Sequence, residues 1–92
     1  MYTIQKLSAM PYAQAEVRIG KDGSVFLKSY ETIVAYITAG GWFGINGLYS
    51  MTTRKHIGAF AKEFAKLDFQ TAKKLYVDGY IYNIHTGEVV EA

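Results

Sequence analysis

Three basic side chains stand in the first turn of a predicted helix, where they could bind an anion. The segment YSMTTRKHIGAFAKEFAKL, residues 49–67, places Arg54, Lys55 and His56 at that position. A helix N-terminus already carries a partial positive charge, so each exposed cation beside it costs about 0.3–1 kcal/mol. Either the long side chains lean away and the surface tolerates this cost, or the cluster has a ligand. Free backbone N–H groups at a helix start favour phosphate or carboxylate, which predicts an anion site formed by Thr52, Thr53, Arg54 and Lys55.

The positive charge of the chain is concentrated around this helix. Residues 54–74 contain six Lys or Arg and two acidic residues, a net charge of +4 (6 − 2), whereas the rest of the chain has four and six, a net charge of −2 (4 − 6). Such a surface could follow a nucleic-acid backbone or meet an acidic protein, and no base-reading motif is present. The predicted partner-binding residues are Arg54, Lys55, His56, Lys62, Lys66, Lys73 and Lys74.

The residue types do not predict catalysis. The chain has no Cys, and Ser50 with His56 lacks both a third member and a nucleophile-elbow pattern. Its two histidines, His56 and His85, are not spaced as a metal-binding pair on a helix. We therefore expect a protein that is not an enzyme and that holds no metal or cofactor.

A glycine-rich stretch, GGWFGING, precedes the helix. It lacks the Gly-Lys-Ser/Thr of a phosphate-binding loop and does not match the dinucleotide fingerprint. It is typical of a glycine-punctuated hairpin, with Asn46-Gly47 as a turn signal. The alternative is a loop that exposes an aromatic pair for binding, which makes Trp42 and Phe43 the second candidates for partner contact.

The order of elements predicts an α+β fold in one domain, residues 1–92, with a mainly antiparallel sheet of four to six strands. AEVRIG and VFLKSY form a hairpin around KDGS, and the apolar TIVAYITA is the candidate central strand. The main helix spans about residues 53–67, a shorter one about 69–77, and a C-terminal hairpin follows. Ser50, Thr52 or Thr53 can be the N-cap, with Thr52 preferred. The expected buried stripe of the main helix is Ile57, Phe60, Ala61, Phe64 and Ala65.

Composition is compatible with a small soluble protein. Half of the residues are hydrophobic and 15% are aromatic, which is enough for a core. The N-terminal stretch is not a signal peptide, and no apolar run reaches the roughly 18 residues that a membrane span needs. We expect a cytoplasmic location without membrane association.

The segment from Ser29 to Phe64 resembles a recurrent pattern in small uncharacterised phage and prophage proteins, SYxTxVAxI followed by YSxTTxKHIxxF. The matching residues are Ser29, Tyr30, Thr32, Val34, Ala35 and Ile37, then Tyr49, Ser50, Thr52, Thr53, Lys55, His56, Ile57 and Phe60. The resemblance implies a phage-type protein in a bacterial cytoplasm and carries no catalytic residue. It gives weight to TTRKH as a functional cluster, although Thr could serve as a cap and His56 as a bond from helix to sheet.

These observations predict a non-enzymatic protein that binds a host protein or a protein–nucleic-acid complex through the basic surface. Small phage proteins of this class often act on host factors, including defence nucleases, so inhibition of a host defence system is one form of this hypothesis. Direct, sequence-nonspecific binding of nucleic acid is the first alternative. The second is a structural phage component, a homo-oligomer held together by exposed aromatic residues.

Overall fold

Seven strands form one antiparallel sheet in which every strand pairs with the next one in sequence. The structure is a computed structural model that describes residues 2–92. Both helices lie between the fifth and sixth strands. The strands are β1 (Tyr2–Gln5), β2 (Ala15–Gly20), β3 (Val25–Ser29), β4 (Thr32–Ile37), β5 (Trp42–Ile45), β6 (Tyr80–Asn83) and β7 (Val89–Glu91). The helices are α1 (Met51–Phe60), continued by a π-helical turn (Ala61–Ala65), and α2 (Phe69–Val77).

Alternation of side chains along the strands decides which face of the sheet is buried. In β2 and β3, Val17 and Leu27 are register partners and both are fully buried, while their neighbours point to the other face. The turn between these strands uses Gly23 at a φ of +90°, a backbone conformation that glycine adopts without steric cost. The sequence pattern therefore sets both the hairpin and its buried face.

The two helices cover one face of the sheet and close the core. Phe60 of α1 stacks on Phe43 of β5, with ring centroids 6.3 Å apart. Burying a side chain of this size stabilises the fold by about 1.5–3 kcal/mol. The helices contribute Ile57, Phe60, Ala61, Ala65 and Ala72 to the core, the sheet contributes Ala15, Val17, Val25, Leu27, Val34, Ala35, Ile37 and Phe43, and the β1–β2 loop contributes Leu7.

The boundaries of α1 differ from the predicted 53–67 for local reasons. The Ser50 hydroxyl accepts a hydrogen bond from the backbone N–H of Thr53 at 3.2 Å, so Ser50 and not Thr52 is the N-cap, and the helix begins at Met51. At the other end Lys66 adopts a left-handed conformation with a φ of 59°, which stops the helix after Ala65. The second helix lies at Phe69–Val77, as predicted, and Asp68 caps it through the Thr71 N–H at 2.8 Å.

The α+β fold, the two helices and the C-terminal hairpin are confirmed. The sheet has seven strands where four to six were expected, because β1 and β5 add to the two predicted hairpins and β4. The apolar TIVAYI is β4, the central strand. Asn46-Gly47 does not close a hairpin; it leads from β5 towards α1. Within residues 2–92 neither helix is long and apolar enough to cross a membrane.

Candidate functional site

A groove of about 490 Å³ lies between α1 and α2 on the helical side of the molecule. Its floor is apolar, and Gly58 brings the two helices close together: a Cβ at Gly58 would lie only 3.3 Å from the Cβ of Phe69. Met51, at the start of α1, is 69% exposed beside it. The groove is lined by Met51, Arg54, Lys55, Gly58, Ala59, Phe69, Gln70 and Lys73.

Three cations surround this floor without neutralisation. Arg54 ends the first turn of α1 and Lys55 begins the second, because the helix starts at Met51 and not at the predicted Thr53, and Lys73 comes from the middle of α2. No carboxylate lines the groove, and none of the three cations has an ion-pair partner within residues 2–92. The Nε of Arg54 is buried and has no hydrogen-bond acceptor in that described part of the chain. The groove therefore combines an apolar base with a positive rim, which suits an acidic ligand that also offers apolar surface.

The other predicted cations lie outside the groove lining. Lys62 is exposed on the π-helical turn, and Lys66 donates from its Nζ to the Glu63 carbonyl at 3.0 Å. Lys74 forms an ion pair with Asp78 at 2.9 Å, so part of its charge is compensated. The predicted basic surface is thus divided into a cationic groove and three lysines away from its lining.

His56 belongs to a buried polar network that joins the helix to the sheet. Its Nδ1 lies 2.8 Å from the Ser29 hydroxyl, which in turn lies 3.0 Å from the Thr53 hydroxyl. The Ser50 hydroxyl donates to Thr53 at 3.3 Å, and the Tyr30 ring lies against His56 with centroids 5.8 Å apart. Burial lowers the pKa of His56 below its ordinary value of 6.5, because the charged imidazolium loses its hydration. Burial therefore favours the neutral form of the imidazole.

This network corrects the predicted roles of two residues. His56 is 1% exposed and Thr53 is 4% exposed, so neither side chain is on the surface that a partner would meet. Thr53 also gives its backbone N–H to the Ser50 cap, which removes it from the predicted anion site. Of that site, Thr52 remains exposed, and Arg54 and Lys55 belong to the groove. Ser29, Ser50, Thr53 and His56, which meet here, therefore have a structural explanation.

The aromatic pair Trp42–Phe43 is not an exposed loop, because both residues lie in β5. Successive strand residues face opposite sides of a sheet. Phe43 points towards the helices and is 2% exposed, so its predicted role in partner binding needs correction. Trp42 points to the opposite face, away from the groove.

Sequence reasoning found the cations of the groove but missed its floor. Met51 and Phe69 were not candidates, because an apolar residue near a helix start resembles ordinary core. The small pair Gly58–Ala59 was the available signal: small residues let helices approach closely, and they leave a hollow where larger side chains would stand. Counting charges along the sequence does not reveal this hollow.

The chain belongs to the family of unknown function DUF8033, whose model matches residues 4–81. No curated protein and no solved structure matches the chain. No group of three or more His, Cys, Asp and Glu residues suited to hold a metal ion occurs within residues 2–92.

Proposed function

Starting from a member of a family of unknown function with a cationic, apolar-floored groove, we propose that the protein is a non-enzymatic binding protein for an acidic partner. The partner is a host protein or a protein–nucleic-acid complex. The observation that carries the proposal is the grouping of Arg54, Lys55 and Lys73 around one groove that has no carboxylate in its lining. Three uncompensated cations repel one another, and an acidic ligand relieves that repulsion.

The floor of the groove favours a protein segment over bare nucleic acid. Met51, Ala59 and Phe69 offer apolar surface that phosphates cannot use. An amphipathic helix with one apolar face and acidic flanks would use both parts of the groove, and helix-in-groove binding is a recurrent mode of recognition. The proposed ligand is therefore an acidic segment with one or two apolar side chains that enter between α1 and α2.

The resemblance to phage proteins supports a bacterial factor as the partner. In the narrowest form of the proposal the protein inhibits a host defence system by occupying an acidic surface of one of its components. This form rests on the class of protein and not on a particular residue.

The test is retention of a partner from a lysate of the natural bacterial host by the immobilised full chain. The double variant Lys55→Glu/Lys73→Glu removes the positive rim. Its matched control, Lys62→Glu/Lys21→Glu, makes the same change of net charge at exposed lysines outside the groove. We expect the groove variant to lose the partner and the control to retain it, with nuclease treatment making no difference. Equal retention by both variants would contradict the proposal.

Direct binding of nucleic acid is the second candidate, and the uncompensated cations are the observation in its favour. A salt titration on mixed-sequence DNA and RNA separates the two candidates. Nonspecific binding through three phosphate contacts should weaken steeply, with a log–log slope of about −2 to −3 against salt concentration. Absence of binding at low salt would exclude this candidate and leave the acidic protein partner.

A further inference from the structure

The face of the sheet opposite the helices is bare and largely apolar. An antiparallel sheet with one face in water normally alternates apolar inward residues with polar outward ones. Here Phe26 on β3 is 38% exposed and Ile4 on β1 is 54% exposed, although both point outward. Six of the seven strands carry an apolar or aromatic residue on this outward face: Ile4, Phe26, Tyr36, Trp42, Ile81 and Val90.

The apolar side chains meet at the centre of this face. Phe26 and Tyr36 are register partners on β3 and β4, the middle of the sheet. The phenol end of Tyr36 lies over Gly44 of β5, where a side chain would collide with it. Trp42 stands two residues along β5 on the same face. This gives an aromatic centre of the kind that anchors protein interfaces.

The charges of this face compensate one another. Arg18 pairs with Glu16 at 3.6 Å, and Lys28 pairs with Glu31 at 3.6 Å. The two pairs cancel, and Lys6, which lines the same hollow as Glu16, Lys28 and Glu31, adds one positive charge, so the face is close to neutral and offers little attraction to a polyanion. A nearly neutral apolar surface is compatible with a copy of itself, because two-fold pairing brings little like-charged excess together.

The size of the face suits a stable dimer. The Cα extents of the molecule are 32, 31 and 20 Å. One sheet covered by one layer of helices is thinner than it is broad, so we assign the two longer extents to the sheet face. An elliptical outline with the two longer extents encloses about 780 Å² (π/4 × 32 × 31), close to the approximately 800 Å² that each partner buries in a standard interface. Two such sheets stack about 10 Å apart in known sandwiches.

We propose that two copies of the chain associate through the bare sheet face, sheet against sheet, about a two-fold axis. Phe26 and Tyr36 form the centre of the interface, with Trp42 beside them. Because the groove lies on the other side of each copy, the dimer presents two grooves outward. The inference does not depend on what the groove binds.

The experiment is sedimentation of the full chain over a wide range of concentrations. We expect a reversible monomer–dimer equilibrium, with a dimer at high concentration. The variant Phe26→Glu places one negative charge per copy at the centre of the interface. It should raise the dissociation constant of the dimer by about 30-fold or more, the scale of an interface hot spot. Val77→Glu is the control, since Val77 is 65% exposed on the helical side and should leave the dimer unchanged.

A second variant and a direct reporter keep the test decisive if Phe26→Glu fails to fold. Ile4→Glu changes an exposed position on the same face and should also weaken the dimer. Trp42 is the single tryptophan, so quenching of its fluorescence by acrylamide should increase on dilution of the native chain. A native chain that stays monomeric at its highest soluble concentration would overturn the proposal. So would a dimer that survives both face variants or that Val77→Glu dissociates.

Discussion

The imidazole of His56 in α1 lies 2.8 Å from the hydroxyl of Ser29 in β3, and this contact holds the N-terminal half of the helix against the sheet. Ser29 and Thr53 share the same network and are also buried. A buried polar group without a partner costs about 1–3 kcal/mol, so each member of the network depends on the others. The helix that carries the cations of the groove is therefore positioned by side chains that never reach the surface.

Removing one hydroxyl from this network should destabilise the protein. Thr53→Ala leaves the Ser29 hydroxyl without one of its partners, so we expect the free energy of unfolding to fall by about 1–3 kcal/mol in urea denaturation. Thr52→Ala is the matched control, because Thr52 is the exposed neighbour in the same turn, and its effect should stay within about 0.5 kcal/mol. Equal losses in the two variants would contradict the network.

Stability should depend on pH through His56. Burial holds its pKa below 6.5 in the folded state, so the unfolded chain takes up the proton more readily. The stabilising contribution is therefore complete above the unfolded pKa and is lost as pH falls through the lower folded pKa. We expect the free energy of unfolding, measured by urea denaturation, to decrease as the pH is lowered below 6.5. The decrease should be at most about 1.4 kcal/mol per pH unit.

The control for this pH dependence is the second histidine. His85→Asn changes an exposed side chain and should leave the pH profile as it is. His56→Asn should flatten the profile between neutral pH and the range in which carboxylates titrate. Asp22 and Asp68 have pKa values lowered below 3.8 by hydrogen bonds, from Ser24 and Thr71 respectively, so their effects belong to a more acidic range. A profile unchanged by His56→Asn would contradict the assignment.

The fold was predictable from local signals because these signals agree with one another. Alternation in AEVRIG, the Asp22-Gly23 turn and the apolar β4 all follow from side-chain periodicity and turn chemistry. The edges were harder. β7 was predicted as part of the C-terminal hairpin, but β1 is exposed along its whole length, so its strand character depends on pairing with β2 rather than on a buried face.

The site was predictable only in its charges. Arg54, Lys55 and Lys73 were identified by counting, but their meeting depends on how α1 and α2 pack, which no local pattern encodes. For His56 the sequence left two roles open, a partner contact beside Arg54 and Lys55 or a bond from helix to sheet, and the structure shows the second. Only the three-dimensional position of Ser29, distant in sequence, shows that the imidazole is buried. The bare apolar face was hidden in the same way, since its residues are scattered over the strands.

Replacing Lys66 with glycine should stabilise the protein. Lys66 ends α1 in a left-handed conformation with a φ of 59°, which costs a residue with a Cβ about 1–2 kcal/mol. Glycine avoids that cost but loses more conformational freedom on folding, by about 0.5–1 kcal/mol. We expect Lys66→Gly to raise the free energy of unfolding by about 0.5–1 kcal/mol, measured by urea denaturation.

The matched control puts glycine inside the helical segment instead. Lys62→Gly should lower the free energy of unfolding by about 0.5–1 kcal/mol, because Lys62 lies in a right-handed turn. Both variants replace one lysine with glycine, yet their effects on the free energy of unfolding should have opposite signs. A loss of stability in Lys66→Gly would show that its Nζ contact with the Glu63 carbonyl outweighs the backbone strain.

Charge reversal at Lys55 should separate stability from binding. Because α1 begins at Met51, Arg54 ends its first turn and Lys55 lies in the second, where the helix dipole acts only weakly, so Lys55→Glu should change the free energy of unfolding by no more than about 0.3 kcal/mol. The same change should weaken partner binding, since it removes one of the three cations of the groove. Lys62→Glu is the control: Lys62 lies in the last turn, where a cation is favourable, so stability should fall slightly and binding should persist. Thermal or urea unfolding gives the stabilities, and partner retention gives the binding. A Lys55→Glu variant that keeps its stability and remains fully competent in binding would contradict the assignment of Lys55 to the partner contact.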